Sequence, residues 1–147
     1  MRAVAIACCA ALLVGCKKSE NPPSQTAMAP AAVSLSSFAG TWRVRGFNER
    51  GDSLVGYQLI ATADTTGWTI VFPNRSPIAV RIAAVAGDSV VTESGPYESV
   101  LRKGVQVRTR AVLRLQGDKL VGTTVARYAT SGPDSVLNIR AEGTRQP

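Results

Sequence analysis

Hydrophobic and polar residues alternate along residues 105–116, the stretch VQVRTRAVLRLQ. Val105, Val107, Thr109, Ala111, Leu113 and Leu115 fall on one face. Gln106, Arg108, Arg110, Arg114 and Gln116 fall on the other, with Val112 as the interruption. A period of two with one apolar face belongs to a strand that has one side in a core and one in water. The same pattern predicts strands over 41–49, 54–63, 68–72, 78–86, 89–94, 119–130 and 135–144. The stretch YESVLRKG, residues 97–104, reads equally as a ninth short strand or a helical turn.

The strands are separated by Gly51-Asp52, Thr65-Thr66-Gly67, PNRSP, Gly87-Asp88, Gly95-Pro96, Gly104, Gly117-Asp118 and SGPD. These gaps suit hairpins and are too short for βαβ crossovers. The expected fold is therefore all-β: an antiparallel up-and-down barrel of about eight strands, with a β-sandwich as the alternative. Closure into a barrel also removes exposed sheet edges.

One of the turns spells Gly51-Asp52-Ser53-Leu54, the block that gives GDSL esterases their name. GDSVV at 87–91, GDKLV at 117–121 and PDSVL at 133–137 repeat its form at irregular intervals. Each reads as a turn followed by the start of a strand: Gly or Pro bends the chain, and Asp bonds to nearby backbone. Ser53 is accordingly a turn residue.

Composition removes much of the remaining chemistry. The 147 residues include no histidine. A Ser-His-Asp triad, a Cys-His pair and a histidine-ligated zinc site are all excluded. The three cysteines, Cys8, Cys9 and Cys16, precede the strand pattern, so no disulfide framework or thiolate metal site forms within it. Carboxylate pairs and a Ser-Lys dyad stay compatible with the composition; we expect no catalytic residues, no metal and no cofactor, and a protein that is not an enzyme.

The leader MRAVAIACCAALLVGC has a single charge at Arg2 and an apolar run over 3–14, too short to cross a hydrocarbon core of roughly 30 Å as a helix. Leu13-Val14-Gly15-Cys16 resembles the lipobox of bacterial lipoproteins. That resemblance implies a signal peptide over 1–15, lipidation at Cys16, and a membrane partner through the lipid anchor. Lys17, in place of an aspartate, implies export to the outer membrane of the cell envelope, facing the periplasm. Residues 17–35, rich in Pro, Ser and Ala, read with Cys16 as a tether segment over 16–35, leaving 36–147 as the barrel domain. Treated as a coil, the tether reaches roughly 20–25 Å on average.

Gly40-Thr41-Trp42, within SSFAGTWRV, resembles the opening G-x-W of the calycin group, the lipocalins and intracellular fatty-acid-binding proteins. The resemblance implies that Trp42 closes one barrel end and packs on an arginine near the C-terminus. Arg145 is the better match, since it continues the face of Leu137, Ile139, Ala141 and Gly143. The chain departs from lipocalins in having no C-terminal helix, and from fatty-acid-binding proteins in having no lid after the first strand.

Small inward positions (Ala61, Ala63, Ala111, Gly122, Thr124 and Ala126) and only eight aromatics leave room for an apolar pocket. Tyr57 and Tyr128 would offer hydroxyls to a small lipophilic ligand. A flattened, filled barrel that contacts other envelope components is the alternative. From Ser36 onward twelve arginines and two lysines face nine carboxylates, a net +5. Arg43, Arg45, Arg108, Arg110 and Arg114 point outward by alternation. They make either a solvated sheet face or a surface for anionic lipid head groups. Aromatics are not interleaved with them, so nucleic acid is not an expected partner.

The lipobox gives the first prediction. Cys16→Ser should move the protein from the membrane fraction to the soluble fraction, or leave its leader uncleaved. Unchanged fractionation would disprove lipid anchoring.

Overall fold

Glycine sets the two shortest hairpins. Gly87 and Gly117 adopt φ of 57° and 62°, while the aspartate after each stays at negative φ. Positive φ at the first central residue alone is the pattern of a type II′ turn, which matches the twist of the strands it joins. The computed structural model describes residues 33–147. Cys16 and the leader lie outside the described residues.

The first element among the described residues is one helical turn, α1 (Leu35–Phe38), followed by β1 (Gly40–Phe47), β2 (Ser53–Ala61), β3 (Thr69–Val71) and β4 (Ile78–Ala86). Then come β5 (Ser89–Glu98), β6 (Gln106–Gln116), β7 (Lys119–Tyr128) and β8 (Val136–Arg145), with a 3₁₀ turn at Pro133–Ser135 before the last. Each strand pairs antiparallel with the next, and β1 pairs with β8, so the sheet closes as an up-and-down barrel and not as a sandwich. The folded region starts ahead of Ser36: Val33 N–H donates to the Gly87 carbonyl at 2.7 Å, and Leu35 packs on the core.

Three sequence expectations are corrected. Gly95-Pro96 does not end a strand; it is a bulge inside β5, where the register slips between Ser94 and Tyr97. Gly95 has φ 101°, and a Cβ there would lie 2.5 Å from the Val107 carbonyl oxygen. Residues 97–104 are thus the end of β5 and a tight loop, neither a ninth strand nor a helical turn. Ala63 is exposed, because β2 stops at Ala61 and the chain turns out into a loop. There Asp64 accepts hydrogen bonds from the Thr66 amide and hydroxyl at 2.8 Å each.

One barrel end is closed. Phe38, Trp42 and Trp68 are at most 1% exposed and pack with Val44, Val90 and Leu120. Burying side chains of this size contributes about 1.5–3 kcal/mol each. Their polar handles are satisfied: Trp42 Nε1 donates to the Phe38 carbonyl at 2.8 Å and Trp68 Nε1 to that of Asp64 at 2.9 Å. The Arg145 guanidinium carbon sits 4.2 Å from the centre of the Trp42 ring. Arg145 also donates to the Ser37 carbonyl at 2.8 Å and to that of Ala39. Gly40 is needed here twice over: its φ is 129°, and a Cβ would come within 2.8 Å of Arg145 Nη1.

The outer wall is charged and the inner wall apolar, the reverse of a barrel that faces lipid. Arg43 and Arg45 lie on β1, while Arg108, Arg110 and Arg114 lie three strands away on β6, so they form two separate patches. Glu93 on β5 sits between Arg81 and Arg110 and pairs with both.

Two glycines in strand interiors should respond oppositely to alanine. At Gly122 a Cβ would lie 2.2 Å from the Val112 carbonyl oxygen, whereas at Gly56 it would meet nothing nearer than 3.9 Å. Gly122→Ala should lower the urea unfolding free energy by about 3 kcal/mol. Gly56→Ala should stay within about 0.5 kcal/mol of the parent. Equal effects would show that close backbone approach does not decide these positions.

Candidate functional site

Alternation carries one side chain in two to the inside, and at the end of the barrel opposite Trp42 these side chains do not fill it. A cavity of about 60 Å³ lies there. Its walls are mostly apolar: Val55, Leu59, Ile70, Phe72, Val107 and Ala126 all line it. Leu101 also lines it and is 37% exposed, so at the 99–105 loop a single side chain lies between the cavity and solvent.

Both tyrosines singled out from sequence, Tyr57 on β2 and Tyr128 on β7, line this cavity. A third, Tyr97, joins them. The bulge at Gly95-Pro96 restores its inward direction, and cross-strand register sets Tyr97, Val107 and Tyr128 in one row across β5, β6 and β7. One level deeper, Ser94 and Thr109 face each other with their hydroxyl oxygens 2.6 Å apart. The lumen therefore combines an apolar wall with a few convergent hydroxyls, the usual make-up of a small-molecule site.

The aromatic rings are also in contact with one another. Tyr57 and Phe72 have ring centres 5.5 Å apart, and Phe72 and Tyr97 6.1 Å. Arg102 covers the outer side of Tyr128, with its guanidinium carbon 3.9 Å from the ring centre, and donates to the Asp134 carbonyl at 2.7 Å. The loop carrying Arg102 is internally braced. Ser99 Oγ accepts from the amides of Leu101 and Arg102 at 3.0 and 3.1 Å, and Glu98 Oε1 accepts from Gly104 at 3.0 Å.

Burial pushes the Tyr57 phenol well above its ordinary value of 10.0, with the neighbouring Tyr97 adding to the effect. The Tyr57 hydroxyl has no hydrogen-bond partner among the described residues, and no buried side-chain polar atom there is left unpaired, so it opens onto cavity space. Burial likewise raises Tyr97, opposed by the hydroxyl of Thr109 beside it. Sequence reasoning missed Tyr97 because Gly95-Pro96 read as a turn; the apolar-facing alternation resumes one residue late. Phe72 was placed at a strand end without a role, and Trp42 and Arg145 belong to the closed end, away from the cavity.

Ser53 is exposed at the start of β2. The turn before it is clamped by Asn48, not by the aspartate alone. Asn48 Oδ1 accepts from the amides of Arg50 and Asp52 at 2.9 Å each, and its Nδ2 donates to Asp52 Oδ2 at 2.9 Å. Among the described residues no group of three metal-ligating side chains occurs. No family model, no curated protein and no solved structure matches this chain.

The raised tyrosines fix a pH dependence. Their neutral forms are favoured in the folded state, so their contribution to stability is whole below about pH 10, where the unfolded chain titrates. It is lost as pH rises through the higher folded-state values. The urea midpoint should fall between pH 8 and pH 11, and fall less in Tyr57→Phe. Equal falls in both proteins would mean that Tyr57 is not held neutral by burial.

Proposed function

We propose that the chain is a non-enzymatic lipoprotein of the bacterial cell envelope, anchored through Cys16 at the outer membrane and facing the periplasm. In this reading a calycin-like barrel takes a small apolar or amphipathic ligand into its lumen. The observation that carries the ligand reading is the apolar cavity with the Tyr57, Tyr97 and Tyr128 hydroxyls and the Ser94–Thr109 pair on its wall. The Trp42–Arg145 stack supports the likeness to calycins, since it is the contact that the G-x-W resemblance implies.

Volume constrains the ligand. An apolar cavity of about 150 Å³ admits benzene, and the 60 Å³ here is well below that. It accommodates the narrow end of a ligand, a few methylene groups, and a larger guest has to displace the residues at the mouth. The same small volume favours a second reading, in which the barrel is filled and its outer surface contacts other envelope components.

Native mass spectrometry of protein extracted without added detergent separates the two. The ligand reading expects an adduct that dissociates on collisional activation. The adduct should be lost in Ala126→Val, which adds two methyl groups to a cavity wall while circular dichroism stays unchanged. A bare mass for the parent protein would support the filled barrel.

A further inference from the structure

The upper wall between β2 and β5 is not a continuous sheet. β2 pairs with β3 only from Gln58 to Ile60, and β3 with β4 only at Thr69 and Ile70. Pro73 and Pro77 explain this, since neither can donate to a ladder. Residues 53–57 of β2 thus have no ladder partner on that side. The gap is covered by residues 72–77, held by Arg75, which donates to the carbonyls of Glu98 at 2.6 Å and Ser99 at 3.4 Å. Phe72 fills the space between Tyr57 and Tyr97.

Tyr57 and Phe72 have two sides. Inward they line the lumen, and outward they line a surface groove of about 820 Å³ with Arg43, Arg45, Gly56 and Arg75. We propose that groove and lumen together form one site for an anionic single-chain amphiphile. The head group sits on Arg43 and Arg45, and the chain passes between Tyr57 and Phe72 into the barrel. This rests on the lumen-binding reading above and names its ligand class and its route.

Four observations carry it. Three arginines and no acidic residue are among those that line the groove. The nearest acid in register, Glu142 opposite Arg45 on β8, is engaged by Arg140 at 3.5 Å. Gly56 is exposed and places no side chain in the groove, and the nearest atom to a Cβ there would be 3.9 Å away. Finally, the partition is made of aromatic rings where ladder hydrogen bonds are missing, so a chain can part it without breaking the sheet. The lumen, at about 60 Å³, takes only the end of a single chain, and the groove holds the rest.

The test uses the full chain carrying Cys16→Ser, without detergent, titrated calorimetrically with dodecyl phosphate below its micelle concentration. Dodecyl phosphate should bind, and uncharged dodecyl maltoside should bind about tenfold more weakly. Gly56→Glu, and separately the pair Arg43→Gln with Arg45→Gln, should each weaken dodecyl phosphate about tenfold, and all three substituted positions are exposed. Ala126→Val should weaken both amphiphiles. If Ala126→Val abolishes binding while the groove variants change nothing, the ligand enters at the mouth; the lateral site falls and the lumen reading stands. If inorganic phosphate displaces dodecyl phosphate and Ala126→Val has no effect, the groove is a plain anion site and the proposal is overturned. No monomer binding, with attachment only to phosphatidylglycerol vesicles, would overturn it as well.

Discussion

The barrel exists because β1 meets β8, and the contact that fixes that seam is Arg145 on Trp42. Arg145 stacks on the ring and donates to the carbonyls of Ser37 and Ala39. One side chain thereby ties the last strand to the first strand and to the helical turn that plugs the end. The carbonyls belong to a helical end, where orphan acceptors favour a cation. Closing a sheet between residues about a hundred positions apart costs loop entropy that short hairpins do not. The seam repays it with a ladder from Trp42–Arg145 to Phe47–Arg140 and with three fully buried aromatics beneath.

With one end sealed, everything left for function is at the other. The two-residue hairpins lie at the sealed end together with the 62–68 loop, and the loops 48–52, 72–77, 99–105 and 129–135 lie at the open one. That asymmetry follows from sequence. Gly87-Asp88 and Gly117-Asp118 turn the chain at once, whereas the prolines at 73, 77 and 133 stop ladder pairing and lengthen two of the open-end loops. The open end is therefore built from arginine-to-carbonyl bonds and ring contacts, which hold shape with fewer cooperative constraints than a ladder does.

Alternation made the strands legible because inside and outside differ so sharply: apolar or small residues within, Arg, Gln and Glu without. The G-x-W resemblance implies an arginine partner for Trp42, and alternation selects Arg145 because it continues the inward face of β8. The cavity tyrosines were only two-thirds legible. Tyr57 and Tyr128 lie in strands of unbroken alternation. Tyr97 follows a bulge, and a bulge shifts the face of every residue after it. The gap beside β2 was hidden for a different reason: it is an absence of pairing, set by where β3 ends. Arg75 stood in a segment that read only as a turn.

The place where the chain enters the fold bears on how the proposed site would meet its ligand. Val33 is bonded to Gly87, so the described residues begin at the sealed end, opposite the cavity. Ten residues of strand at about 3.3 Å each put the open end roughly 30 Å further away. An anchored barrel standing upright would hold its mouth away from its own membrane. The groove lies on the β1–β2 side, below the mouth, and a barrel tipped on its tether brings that side down with Arg43 and Arg45 foremost. Under the proposed anchoring, the lateral opening and not the far mouth would face an amphiphile leaving the bilayer.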